Sequence, residues 1–213
     1  MENERENVIE TVGTTETFSY CYEDKFQMED IENRRLYINE AIDESTIDNI
    51  VYHIFRYNRI DKAAGIPAEE RQPIIIYINT PGGTAVDGFG VIDAIETSVT
   101  PVYTVNMAFA ASMGFLVFIA GKKRFTMPHA EFLMHEGSTG DYGNLSKVKD
   151  RIEFETVQLE EMTRKYILSH TNIDESLYDN KFRVEWYFLA EEAKRIGAVD
   201  CIVGKDCSIE DIL

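Results

Sequence analysis

The chain has 213 residues, 44% of them hydrophobic and 28% charged, with 38 Asp and Glu against 21 Lys and Arg for a formal net charge of −17. This length suits one α/β domain with a small appendage, and the apolar share excludes a wholly disordered chain. No apolar run approaches the roughly 20 residues of a membrane span, and the acidic balance argues against a nucleic-acid binder, which needs surplus Lys and Arg.

The charge is concentrated at the front, where residues 1–50 hold fourteen Asp and Glu and four Lys and Arg. The opening Met1-Glu-Asn-Glu-Arg-Glu-Asn reverses the basic start of a secretory signal, so no export is expected. Cys21, Cys201 and Cys207 form no Cys-x-x-Cys pair and no even framework, which predicts free thiols in a reducing cytosol. Residues 1–34 read as an acidic arm that gains order along its length or on meeting a partner, and residues 35–213 as one domain.

Arg35-Leu-Tyr-Ile-Asn39 reads as a short strand. Ser45 to Tyr57 reads as a helix with Ile47, Ile50, Val51, Ile54 and Phe55 on one face and Ser45 or Thr46 as its cap. After a polar link, Ile74-Ile-Ile-Tyr-Ile-Asn79 is a strand buried on both faces, stopped by Thr80-Pro-Gly-Gly83. Helical spacing from Thr84 to Ser98, through Val86, Phe89, Val91, Ile92 and Ile95, leads to a strand at Val102–Met107 and completes a βαβ unit. Small residues around Ser112 open a buried helix, Phe115–Ala120. Short strands follow at Arg124–Met127 and Glu131–His135, then a long helix from Asn144 to about His170. Ala190–Ile196 reads as a last helix capped by Gly197, before a strand at Val199–Val203.

Three features could carry chemistry. Gly82-Gly83 after a buried strand can turn backbone amides toward a ligand, although most such turns are only turns. Ser112 at the start of an apolar helix is either an N-cap or a nucleophile whose oxyanion the helix amides would stabilise. Of four histidines, His53, His129, His135 and His170, the one that ends an apolar strand before a glycine-bearing loop is His135, the best-placed base. Acidic residues are too numerous for composition to choose a third member.

The set Tyr77-Ile-Asn-Thr-Pro-Gly-Gly83, Ala110-Ala-Ser-Met-Gly114, Lys123-Arg-Phe125, Leu133-Met-His135 and Ala190-Glu-Glu-Ala193…Gly197-Ala-Val-Asp200 closely resembles the ClpP family, the proteolytic subunit of the Clp proteases. The resemblance runs from about Ile74 to Val203, and more loosely across Arg35–Tyr57. It implies a ClpP/crotonase-like α/β fold of repeated βαβ units with a long handle helix, and a cytoplasmic serine endopeptidase acting on unfolded polypeptides. It also implies Ser112 as nucleophile, His135 as base, an oxyanion hole at the Gly83 and Met113 amides, and a substrate-pairing segment around Gly137, Gly140 and Gly143. The implied assembly is a homo-oligomer of two stacked heptameric rings served by an AAA+ unfoldase, with no metal or cofactor. No Gly-x-x-x-x-Gly-Lys-Ser/Thr loop occurs, so any ATP dependence would come from that partner.

The family's third triad position falls on Glu185 rather than an aspartate, with Asp179 the nearest alternative. That departure keeps a second reading in view, a catalytically impaired subunit of a mixed ring. The stretch Asn58–Gln72 and the first 30 residues also depart from the family pattern, suggesting a phage-encoded or otherwise specialised member. Two other chemistries on related folds are a Ser/Lys dyad using Lys122 or Lys123 and a crotonase-type acyl-CoA site.

Overall fold

Ile74 to Ile78 alternate between two apolar layers because successive strand side chains point to opposite faces. Ile74, Ile76 and Ile78 enter the main core with Phe115, Phe118 and Phe132, while Ile75 and Tyr77 enter a smaller one with Val105, Phe125, Cys201, Val203 and Ile212. A strand covered on both sides requires the continuous β-branched run found there.

The computed structural model describes residues 8–11, 14–17, 22–137 and 143–213. These divide into two units, Met1–Arg35 and Leu36–Leu213. In the first, β1 (Val8–Thr11) and β2 (Thr14–Thr17) pair antiparallel, and α1 (Tyr22–Glu32) follows.

The second unit is built on a seven-stranded sheet. After β3 (Arg35–Ile38) comes a helix made of α2 (Glu44–Thr46), a π turn at Ile47–Val51 and α3 (Tyr52–Ala63). Its cap is Asp43, which accepts the Ser45 N–H at 2.9 Å and closes a reciprocal box with Thr46, so neither Ser45 nor Thr46 holds the cap position. Next come β4 (Ile74–Thr80), α4 (Ala85–Thr97), β5 (Val102–Ala111), α5 (Met113–Ile119), β6 (Lys123–Thr126) and β7 (Glu131–Met134). The chain continues through α6 (Leu145–Phe154), a π turn at Glu155–Leu159 and α7 (Glu160–His170). It ends with α8 (Glu175–Lys181), β8 (Trp186–Leu189), α9 (Ala190–Arg195) and β9 (Cys201–Ile202).

The strand order is β3-β4-β5-β6-β9, with β7 and β8 branching from β5. β5 is longer than its sequence pattern predicts, and it forks: Tyr103–Asn106 pair with β6 and Phe109–Ala111 pair with β7, both parallel. Asn106, buried at the fork, donates its side-chain N–H to the Glu131 carbonyl at 2.9 Å and holds β7 in place. β8 pairs antiparallel with β7 from Glu131↔Leu189 to Met134↔Trp186. Under this branch Phe132 and Phe188 stack at 5.4 Å, and Phe115 meets Phe188 edge-on at 5.7 Å.

Some sequence expectations are corrected. Phe55 and Val86 point to solvent, because the π turn rephases the first helix and the first turn of α4 overhangs a cavity. Cys201 and Cys207, expected as free thiols, form a disulfide because the turn after β9 brings their Cα atoms to 6.3 Å. Among the described residues no helix is long and apolar enough to cross a membrane.

Phe132→Ala is expected to lower stability by about 3–5 kcal/mol, the range for deleting a fully buried aromatic ring. A urea midpoint within error of wild type would contradict the central place given to this cluster.

Candidate functional site

Ser112 ends β5 and caps α5, but not as an ordinary N-cap serine: its side chain accepts no capping bond, and its backbone sits at φ 53°, ψ −120°. Non-glycine residues at positive φ carry a conformational cost of order 1–3 kcal/mol and persist only where their surroundings hold them. Here the Ser112 N–H donates to the Leu133 carbonyl at 2.8 Å, extending the β5–β7 ladder by one bond. The chain then reverses at once into α5, whose Phe115 and Leu116 N–H groups bond back to the Ser112 carbonyl.

The glycine turn after β4 packs beneath this reversal. A Cβ on Gly82, at φ +97°, would lie 2.7 Å from the Ala111 carbonyl and 2.8 Å from the Ser112 Cβ. One on Gly83 would lie 2.0 Å from the Ile42 carbonyl, against which the turn is stitched by Ile42 N–H to Gly82 O and Thr84 N–H to Ile42 O. The buried Thr80 hydroxyl completes the brace, donating to the Glu40 carbonyl at 2.5 Å and accepting the Gly82 N–H at 3.1 Å. The Gly83 amide is left with no acceptor among the described residues. Met113, in the first turn of α5, has no intrahelical acceptor either.

A cavity of about 540 Å3 opens on these groups. Gly83, Ser112, Met113, His135 and Gly137 all line it, so five of the sequence-predicted site residues meet in one place. Ser112 and His135 are both half-buried. The other histidines lie elsewhere. His129 is exposed, and His170 pairs with Glu96 at 2.9 Å. His53 is half-buried on α3, and burial with Arg56 nearby lowers its pKa.

Gly143 does not line the cavity, and Gly140 lies outside the described residues. Glu185 does not line it either. The β7–β8 register ends with Met134 opposite Trp186, and His135 and Glu185 are the residues next beyond that last pair. The Glu185 carboxylate instead accepts the Tyr187 hydroxyl at 3.2 Å, and its charge raises the Tyr187 pKa. Asp179 is committed to Arg164 at 3.6 Å. Lys122 and Lys123 are exposed and outside the cavity, with Lys123 over the Phe125 ring, which disfavours a Ser/Lys dyad.

Sequence reasoning missed the far wall, which comes from the long helix: Ile152, Glu155, Thr156, Leu159, Glu160 and Thr163. The signal was present as drift in the helical spacing, because the π turn at Glu155–Leu159 shifts the phase of the helix where it crosses the cavity. The end of that helix is fixed by Arg124, which donates to the His170 carbonyl at 2.8 Å while forming a two-point pair with Asp200. Tyr166 packs one turn earlier, and burial reinforced by Glu96 raises its pKa so that the hydroxyl stays protonated. Among the described residues no group of three His, Cys, Asp or Glu is placed to hold a metal ion.

The family model described as Clp protease matches residues 24–206. The chain is 31% identical over 174 residues to ATP-dependent Clp protease proteolytic subunit 1 of Frankia casuarinae, covering 80% of this chain and 77% of that protein. It is 34% identical over 149 residues to the protein of the same name from Streptomyces avermitilis, covering 68% and 65%. The ATP-dependent Clp protease proteolytic subunit of Angiopteris evecta is 28% identical over 171 residues, covering 79% and 83%. These relatives lend no support to a phage origin.

Gly82→Ala is expected to destabilise the turn by about 1–3 kcal/mol through positive φ and the close approach to Ser112. It should also slow labelling of the protein by a serine-reactive fluorophosphonate. Unchanged urea stability together with unchanged labelling would show that the turn does not brace Ser112.

Proposed function

Since the chain belongs to the Clp protease family of serine peptidases, we propose that Ser112 is its nucleophile, His135 its general base, and Gly83 and Met113 its oxyanion hole. The observation that carries this reading is the meeting of Ser112 and His135 at one cavity beside two amides that have no acceptor among the described residues. His135 takes the Ser112 proton as the hydroxyl attacks a peptide carbonyl, and the two amides hold the charge that develops on its oxygen. His135 then protonates the departing amine. In the second half-reaction it deprotonates water, which attacks the acyl-serine and restores Ser112. Glu185 fixes the imidazole tautomer. This requires its carboxylate to leave the Tyr187 hydroxyl.

The segment around Gly137, Gly140 and Gly143 pairs with an extended polypeptide through main-chain hydrogen bonds, which favours breadth over sequence preference. A homo-oligomer of two stacked heptameric rings, fed by an AAA+ unfoldase in the cytoplasm, accounts for apolar surface on the long helix. α6 buries none of its residues, and Leu145 is 90% exposed with Ile152, Phe154 and Val157 also open. Residues 1–34 are then an acidic arm and residues 35–213 the peptidase domain.

Ser112→Ala and His135→Ala are each expected to cut kcat/KM for an unstructured peptide by about 10^4 or more. Retained turnover in Ser112→Ala would overturn the assignment. Glu185→Ala should cost about 100-fold, mostly in kcat, as expected for a residue that orients the base. A second reading, a catalytically impaired member of a mixed ring, is favoured by the Tyr187–Glu185 bond. It predicts assembly without turnover, and activity gained on Tyr187→Phe or Glu185→Asp.

A further inference from the structure

The cavity that Ser112 lines also carries a charge with no counter-ion among the described residues. Glu160, the first residue of α7, lines the cavity and is half-buried. Among the described residues its carboxylate makes no hydrogen bond and no ion pair, and the group it acts on is the neutral Tyr178 phenol, whose pKa its charge raises after burial. The cations that could neutralise it are engaged elsewhere. Arg151, on the same wall, is held by Glu155 at 2.6 Å. Arg164, one turn along α7, lies against Glu175 at 3.3 Å and Asp179 at 3.6 Å. With Glu136 also at the cavity, its lining among the described residues holds three carboxylates against one guanidinium.

The base of the same cavity is apolar. Met113, Phe115, Leu116, Ile167 and Phe182 are all buried and all line it. An apolar lining that also holds a carboxylate with no cationic partner among the described residues matches one class of side chain, a long aliphatic stem with a cationic end. Such a side chain covers that lining with its methylenes and gives Glu160 a charge-assisted partner in a water-poor site. A purely aliphatic substrate would instead leave the Glu160 carboxylate desolvated without compensation.

We propose that Glu160 is a specificity-determining residue, selecting polypeptide substrates with Lys or Arg at the position that fills the cavity beside Ser112. This deepens the peptidase reading and rests on it for the location of the scissile bond, but the binding preference itself requires only the cavity. The π turn is what presents Glu160 here. It adds a residue to the turn, bringing both Glu155 and Glu160 onto the cavity wall where one carboxylate takes Arg151 and the other remains open.

The test uses assembled full-length protein carrying Ser112→Ala and fluorescent peptides that differ at one position, Lys, Arg, norleucine or Glu, with affinity read by anisotropy. Lys and Arg peptides are expected to bind about tenfold more tightly than norleucine, and Glu more weakly still. Adding Glu160→Gln should bring the Lys-to-norleucine ratio close to one, and Glu160→Lys should invert it in favour of Glu. A ratio near one with Glu160 intact, or one unmoved by Glu160→Gln, would overturn the proposal. The same peptides are then given to protein with Ser112 intact. Cleavage that survives Ser112→Ala, or no cleavage at all, counts against the catalytic reading, while the binding ratios still decide the role of Glu160.

Discussion

A serine at φ 53° between a strand and a helix is a constraint that neighbouring elements must meet together. The ladder bond to Leu133, the start of α5 and the Gly82 turn all act on the few atoms around Ser112. Removing any one would let the residue relax to an ordinary conformation and withdraw its hydroxyl. The forked β5 follows from the same requirement. Its second half must pair with β7 so that Leu133 can receive the Ser112 N–H, and the same pairing puts His135 at the strand end beside the cavity.

The long helix forms the opposite wall. It is tied down near its C-terminal end, where Arg124 reaches the His170 carbonyl and His170 reaches Glu96, while no residue of α6 is buried. One end is thus anchored to the domain, and the other exposes apolar surface. The π turn lies between these regimes and sets which side chains the helix shows to the cavity. In this chain those side chains make the wall acidic, in contrast with the apolar base beneath it.

Much of this was legible in the residues themselves. The run Ile74–Asn79 gave away a doubly covered strand, the small residues around Ser112 the start of a buried helix, and the position of His135 an imidazole at a rigid edge. The periodicity after Gly143 marked the long helix, the resemblance to ClpP added the oxyanion amides and that helix's role as a handle, and family membership agrees with the resemblance. Other parts carried no usable pattern. Tyr22–Glu32 has apolar residues too scattered to mark a face, and Trp186–Leu189 reads as four apolar residues although only Trp186 and Phe188 are buried. Pairing of Cys201 with Cys207 depends on a turn that cysteine counting does not detect. Glu185 is the residue that the resemblance to the family's motif implies, and the structure shows its carboxylate in contact with the Tyr187 hydroxyl.

The central claim is that this fold makes one serine reactive through one histidine. It is tested most directly by treating the assembled protein with a fluorophosphonate and locating the covalent adduct by peptide mass spectrometry, with and without His135→Ala. The account predicts a single adduct on Ser112 that forms far more slowly once His135 is replaced. An adduct on another serine, or labelling of Ser112 at an unchanged rate without His135, would contradict it.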